Sequence, residues 1–72
     1  MAKRYYSLLS RDDKTSPWGV EFGDYSRATV FEEMEDFLDH DIKRSNLKII
    51  ETGETQQEID IAVAKLNRGI QL

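Results

Sequence analysis

The residues best suited to chemistry are a single histidine and the carboxylates around it. His40 stands between Asp39 and Asp41. A catalytic triad needs a base that is oriented by an acid and has a nucleophile within reach, and the sequence shows no such constellation. Consecutive residues on a helix point in different directions, so the trio is also a weak metal site. The glycines match no phosphate-binding spacing. We therefore expect no catalytic residue, no metal and no cofactor.

Acidic residues are concentrated in one part of the chain. The whole sequence has 14 acidic and 10 basic residues, for a net charge of −4. Between Glu21 and Asp41 there are eight acidic residues against one basic residue, Arg27. Direct nucleic-acid binding would need clustered Lys and Arg, so this balance argues against it.

Hydrophobic periodicity predicts that a helix from Tyr25 to His40 carries most of these acids. Ser26 is suited to cap its first turn. Asp41 would fall on the apolar stripe, so the regular helix should end near His40. The stripe recurs at 3.6 residues per turn and comprises Val30, Phe31, Met34, Phe37 and Leu38.

The opposite face of this helix is the first candidate site. Glu32, Asp36 and Asp39 lie there, flanked by Glu33 and Glu35. Like charges four residues apart destabilise a helix by roughly 0.2–0.5 kcal/mol per pair. The face is either simply solvated or a surface for a basic partner, for which the candidate residues are Glu32, Glu33, Asp36 and Asp39.

Three segments have the composition of strands. The run from Arg4 to Ser10 is apolar on both faces, and the run from Leu47 to Thr52 is the third strand. From Trp18 to Asp24 the residues alternate, which predicts Trp18, Val20 and Phe22 on one face.

A second helix follows the third strand. Thr55 and Glu58 form a capping box, and Gly69 is a plausible stop. The apolar stripe of this helix comprises Ile59, Ala62, Val63 and Leu66.

These elements predict one α+β domain over residues 1–72, with the order ββαβα. A right-handed crossover makes the third strand parallel to the second, and the apolar first strand belongs between them. The expected sheet order is 2-1-3, with both helices on one face. Phe31→Ala should then cost about 3–5 kcal/mol. The predicted core comprises Tyr6, Leu8, Trp18, Val20, Phe22, Val30, Phe31, Met34, Phe37, Leu38, Leu47, Ile49, Ile59, Ala62, Val63 and Leu66.

With both helices on one side, the other sheet face is the second candidate site. Tyr5, Leu9 and Ile50 would lie there, beside Gly19 and Gly23, which cover nothing. Such a strip is either a half-exposed sheet back or a surface for homodimerisation. RNA binding on this face is disfavoured, because only one aromatic residue lies there and the protein is acidic.

Composition also bears on location. The chain has no cysteine, no apolar run of the ~18 residues that a membrane span needs, and no convincing signal peptide. We expect a cytoplasmic protein with no membrane contact.

Three segments carry a resemblance to known sequences: KRYYSLLSR at the start, WGVEFGDYSRATV from Trp18, and NLKIIETGETQQEID from Asn46. Together they resemble a group of short uncharacterised bacteriophage and prophage proteins. The resemblance implies phage origin and the host cytoplasm, and it implies no activity.

The leading interpretation is a small non-catalytic phage accessory protein that binds a host or phage protein. The alternative is an acidic nucleic-acid mimic that inhibits a DNA- or RNA-handling enzyme. A small enzyme or ligand-binding module is the third and least favoured interpretation, because 72 residues leave little room for a pocket.

Overall fold

The computed structural model describes residues 4–68. The strand β1 (Tyr5–Ser10) lies in the centre of the sheet and pairs antiparallel with β2 (Gly19–Asp24) on one side and β3 (Leu47–Thr52) on the other. The α+β class, the element order and the strand order 2-1-3 are therefore confirmed. The elements are β1 (Tyr5–Ser10), β2 (Gly19–Asp24), α1 (Arg27–Asp39), a 3₁₀ turn (Arg44–Asn46), β3 (Leu47–Thr52) and α2 (Gln56–Arg68).

The first face of the sheet is covered by α1. Val30 and Met34 of the helix are buried against Leu8 of β1 and Leu47 of β3. This cluster is the main core, since burying a large aliphatic side chain stabilises a fold by about 1.5–3 kcal/mol. Half-buried side chains surround it, namely Tyr6, Phe22, Phe37, Leu38, Ile42 and Ile49.

The second face is covered as well. Ser7 and Leu9 point away from Leu8, because strand neighbours alternate, yet both are fully buried. α2 starts beside β3, and its Asn67 reaches Trp18, which directly precedes β2. The Asn67 side chain accepts from the Trp18 backbone N–H at 2.7 Å and donates to its carbonyl at 3.3 Å.

α2 therefore crosses the sheet on the face opposite to α1. The expectation of both helices on one face does not hold, and the physical reason lies in β1. A central strand that is apolar on both sides must be covered on both sides. The inward stripe of α2 is as expected, with Ile59 buried and Ala62, Val63 and Leu66 half-buried. Gly69, the expected helix stop, lies outside the described residues.

A β-bulge separates the side chains expected on one face of β2. Leu8 pairs with Phe22, but Leu9 pairs with Val20, so Glu21 is the extra residue. Phe22 therefore lies on the α1 face and Val20 on the α2 face. The prediction that these two share a face is wrong. Val20 is also 49% exposed at the sheet edge, so it is not a core residue.

α1 begins as expected, but the apolar stripe that it turns toward the sheet is narrower than the predicted one. The Ser26 hydroxyl accepts from the Thr29 backbone N–H at 3.3 Å, which confirms the cap. Phe31 is 41% exposed, so its assignment to the core is wrong. Val30 and Met34 occupy the centre of the interface, and Phe31 is rotated by about 100° from Val30 along the helix.

Phe31→Ala should therefore cost less than about 1.5 kcal/mol, because a partly exposed ring leaves no closed cavity. Leu9→Ala should cost about 2–5 kcal/mol, because Leu9 is fully buried. Urea unfolding followed by circular dichroism measures both. Equal costs would contradict this assignment of the two faces.

Ser7→Ala should stabilise the protein by about 1 kcal/mol. The Ser7 hydroxyl is buried and has no hydrogen-bond partner among residues 4–68, and an unsatisfied buried hydroxyl costs about 1–3 kcal/mol. Ser10→Ala is the matched control, since the Ser10 hydroxyl donates to the Glu21 carboxylate at 2.7 Å. We expect a higher unfolding midpoint for Ser7→Ala and no gain for the control. A loss at Ser7 would show that its hydroxyl is satisfied in solution.

Candidate functional site

The outward surface of α1 presents the predicted acidic residues. Glu32, Asp36 and Asp39 are exposed, and Glu35 is exposed beside them. Glu33 is half-buried, because it lies on the flank of the helix beside Phe37. The structure thus brings the four candidate residues onto one helix, three on its outward surface and one at its edge. We call Glu32, Glu33, Glu35, Asp36 and Asp39 the acidic face.

No basic side chain within residues 4–68 forms an ion pair with the acidic face. The ion pair in this part of the chain joins Arg4 to Glu51 at 3.1 Å, at the far end of the sheet. Arg27, the one basic residue of α1's first turn, lies near Tyr6, Ile49 and Glu51. The negative charge of the acidic face is therefore directed at solvent.

The C-terminal turn of α1 has the left-handed residue and the six-residue hydrogen bond of a Schellman motif. The Ile42 backbone N–H donates to the Phe37 carbonyl at 3.2 Å, and the His40 N–H donates to the same oxygen at 3.1 Å. Asp41 occupies the left-handed position with a φ of 68°, which glycine usually takes. The turn brings Ile42 back against the core beside Phe37.

This turn creates a small apolar depression beside the acidic face. Phe37 and Ile42 form its floor, and Glu33, Asp36 and His40 form its rim. Its volume is about 300 Å³, and its exposed surface is almost entirely apolar. The His40 Nδ1 atom lies 2.7 Å from the Asp36 carbonyl oxygen, which holds the imidazole at the rim. We call this depression the C-terminal notch.

A wider cleft of about 600 Å³ lies on the other side of the same turn. Among its acidic residues, Asp13 serves local structure. The Asp13 carboxylate accepts from the Thr15 hydroxyl and backbone N–H and from the Ser16 hydroxyl, and these bonds lower the pKa of Asp13. Within residues 4–68 no group of three or more His, Cys, Asp or Glu side chains is arranged to hold a metal ion.

The second predicted site is not an open surface. Leu9 is fully buried under α2, and Tyr5 and Ile50 are half-buried. The Tyr5 ring packs edge-on against Tyr25, with centroids 5.1 Å apart. The Tyr25 hydroxyl donates to the Glu54 carboxylate at 3.1 Å, and this bond raises the pKa of Tyr25. The expected dimerisation strip is therefore corrected, because Leu9 is buried in the interior and the Tyr5 ring is packed against Tyr25.

Ile42 is the site residue that the sequence analysis missed. It stands between the predicted first helix and the predicted third strand, and no glycine follows the helix to signal this turn. The available signal is its spacing, since an apolar residue five positions after Phe37 is the contact that accompanies this motif.

Comparison with protein-family models, with curated proteins and with solved structures finds no match to this chain. Among the described residues, no helix is long and apolar enough to cross a membrane.

Asp41→Gly should stabilise the protein by about 0.5–1.5 kcal/mol. Glycine adopts the left-handed conformation without steric cost, and the change removes a negative charge from the negative end of the helix dipole. Asp41→Ala is the control, because it removes the charge and keeps the Cβ atom. We expect the melting midpoint of Asp41→Gly to exceed that of the wild type. The midpoint of Asp41→Ala should be lower than that of Asp41→Gly. A lower midpoint for Gly than for wild type would show that the Asp41 side chain supports the turn.

Proposed function

We propose that this protein is a non-catalytic binding protein whose acidic face contacts a basic surface on another protein. One observation carries the proposal. Five carboxylates stand within eight residues of one helix, and within residues 4–68 none of them has a cationic partner. The second predicted surface lies beneath α2, which leaves the acidic face as the stronger of the two candidates.

The charge pattern supports the proposal because it works against the stability of the helix. The pairs Glu32–Asp36 and Glu35–Asp39 repel one another, and acids near a helix C-terminus interact unfavourably with the dipole. α1 is held by its apolar contacts with the sheet, so the fold tolerates this cost. A concentrated negative surface accelerates association with a positive one and disfavours acidic partners.

A second candidate function is mimicry of nucleic acid. From Glu32 to Asp39 the helix rises about 10 Å, which gives about one carboxylate per 2 Å of axis. Duplex DNA carries one charge per about 1.7 Å. This similar density favours a partner that normally holds DNA or RNA.

The setting proposed for this function is a phage-infected cell. The resemblance to short phage and prophage proteins supports a phage accessory protein that acts in the host cytoplasm on a host or phage protein. Homodimerisation through Tyr5, Leu9 and Ile50 is not part of this proposal, because α2 covers that face.

Charge reversal on the acidic face tests the proposal. Glu32→Lys with Asp36→Lys should weaken partner binding by about 2–30-fold at low salt, since each of the two exposed charge contacts contributes roughly 0.2–1 kcal/mol. The measurement is affinity capture from host lysate, followed by titration of the purified partner. Far-ultraviolet circular dichroism confirms that the variant is folded.

The matched control is Asp12→Lys with Asp60→Lys, which changes the net charge equally on exposed residues outside α1. Loss of binding in the first variant alone supports the acidic face. Equal loss in both would reduce the effect to net charge, and unchanged binding in both would exclude this face. Displacement of the partner by duplex DNA or by RNA favours mimicry.

A further inference from the structure

The C-terminal notch provides an apolar contact within a negatively charged region. Its floor, Phe37 and Ile42, also packs against the buried cluster around Leu8 and Met34. The two hydrogen bonds to the Phe37 carbonyl fix the backbone between the two floor residues. The depression is therefore pre-formed, and a ligand group can enter it without reordering the chain.

The rim determines the charge of what can enter. Glu33 and Asp36 line the edge of the floor, and neither forms an ion pair within the described part of the chain. Asp39 continues the same negative surface one turn further along the helix. A group that carries phosphates would be repelled, whereas Lys or Arg side chains would find acceptors on the rim.

The size of the notch limits the apolar group. Its volume of about 300 Å³ is at the lower end of the range for small-molecule pockets, and it is open to solvent. This space suits the side chain of one or two residues. In protein–protein interfaces, binding energy is concentrated on a few side chains that fill such pockets.

We propose that the C-terminal notch binds a large aliphatic or aromatic side chain from a basic segment of the partner protein, with flanking Lys or Arg residues paired to Glu33 and Asp36. This inference rests on the proposed function, because the acidic face supplies the charge that draws the segment in. It adds a specific anchor that a solvated acidic helix lacks, and it assigns the notch to a protein rather than to a nucleic acid.

Three synthetic 12-residue peptides test the proposal. The first has Lys and Arg on both sides of a central Leu-Phe pair, the second has Ser-Ser in place of that pair, and the third keeps Leu-Phe and replaces every Lys and Arg with Gln. Each is titrated into ¹⁵N-labelled protein at low salt. We expect the first to bind about tenfold more tightly than the second, as one buried side chain provides. The third should bind at least about tenfold more weakly than the first.

The positions of the shifted amide signals locate the binding. The first peptide should shift the amides of Phe37, His40 and Ile42, whereas the second should shift only those of the acidic face. Ile42→Ser should remove the difference between these two peptides and retain the binding of the second. If Ile42→Ser fails to fold, Glu33→Gln replaces it and should weaken the first peptide while circular dichroism stays unchanged.

The outcomes separate this proposal from the proposed function. Equal binding of the first two peptides, without shifts at the notch, overturns the anchor and leaves the acidic face in place. Equal binding of the first and third overturns the charged rim. Failure of both basic peptides to bind overturns the anchor and removes the support for the acidic face as well. A single-stranded oligonucleotide that shifts the same amides would overturn the assignment to a protein ligand.

Discussion

The burial of β1 on both of its faces is the constraint on which the rest of the structure depends. Leu8 packs under α1 and Leu9 packs under α2, and both side chains are fully buried. In a chain this short, a layer on each side of one central strand is an effective way to remove apolar surface from water. Each helix therefore has one face committed to the sheet.

This constraint also explains where surface is available. α1 must turn its apolar stripe inward, so its carboxylates are left on the outside, and the chain must then reverse direction to enter β3. Asp41 makes that reversal in a conformation that is unfavourable for a residue with a Cβ atom. The same turn that ends the helix thereby places Ile42 beside Phe37. The notch is therefore a consequence of how α1 ends, and the acidic face is a consequence of how α1 packs.

Much of the fold is predictable from the residues, because it depends on periodicity and local capping. The Ser26 cap and the alternation along β1 are local signals, and they predict the helix start and the central strand correctly. The prediction that α2 shares a face with α1 is wrong. The sequence does contain evidence for the opposite face, since a strand that is apolar on both sides implies two covering layers. Long-range packing decides that point, and no short sequence window contains it.

The wrong predictions for individual side chains also come from features that a short sequence window does not contain. The bulge at Glu21 moves Val20 and Phe22 to opposite faces, and strict alternation cannot show where an extra residue is inserted. The exposure of Phe31 depends on the rotation of α1 about its own axis, which the sheet sets. In the candidate site, the positions of the acidic residues can be predicted directly from the helical pattern. The notch does not, because its turn lacks the glycine that normally signals it.

The bulge has one more consequence, for crowded solutions. A three-stranded sheet has two edges, and each can recruit another chain and begin a fibril. Glu21 interrupts the regular ladder along β2, and the charged side chain of Lys48 is exposed on β3. Irregular backbone on one border and a cation on the other both oppose stacking of copies. Both features therefore disfavour edge-to-edge pairing of copies, although the sheet is too small to close on itself.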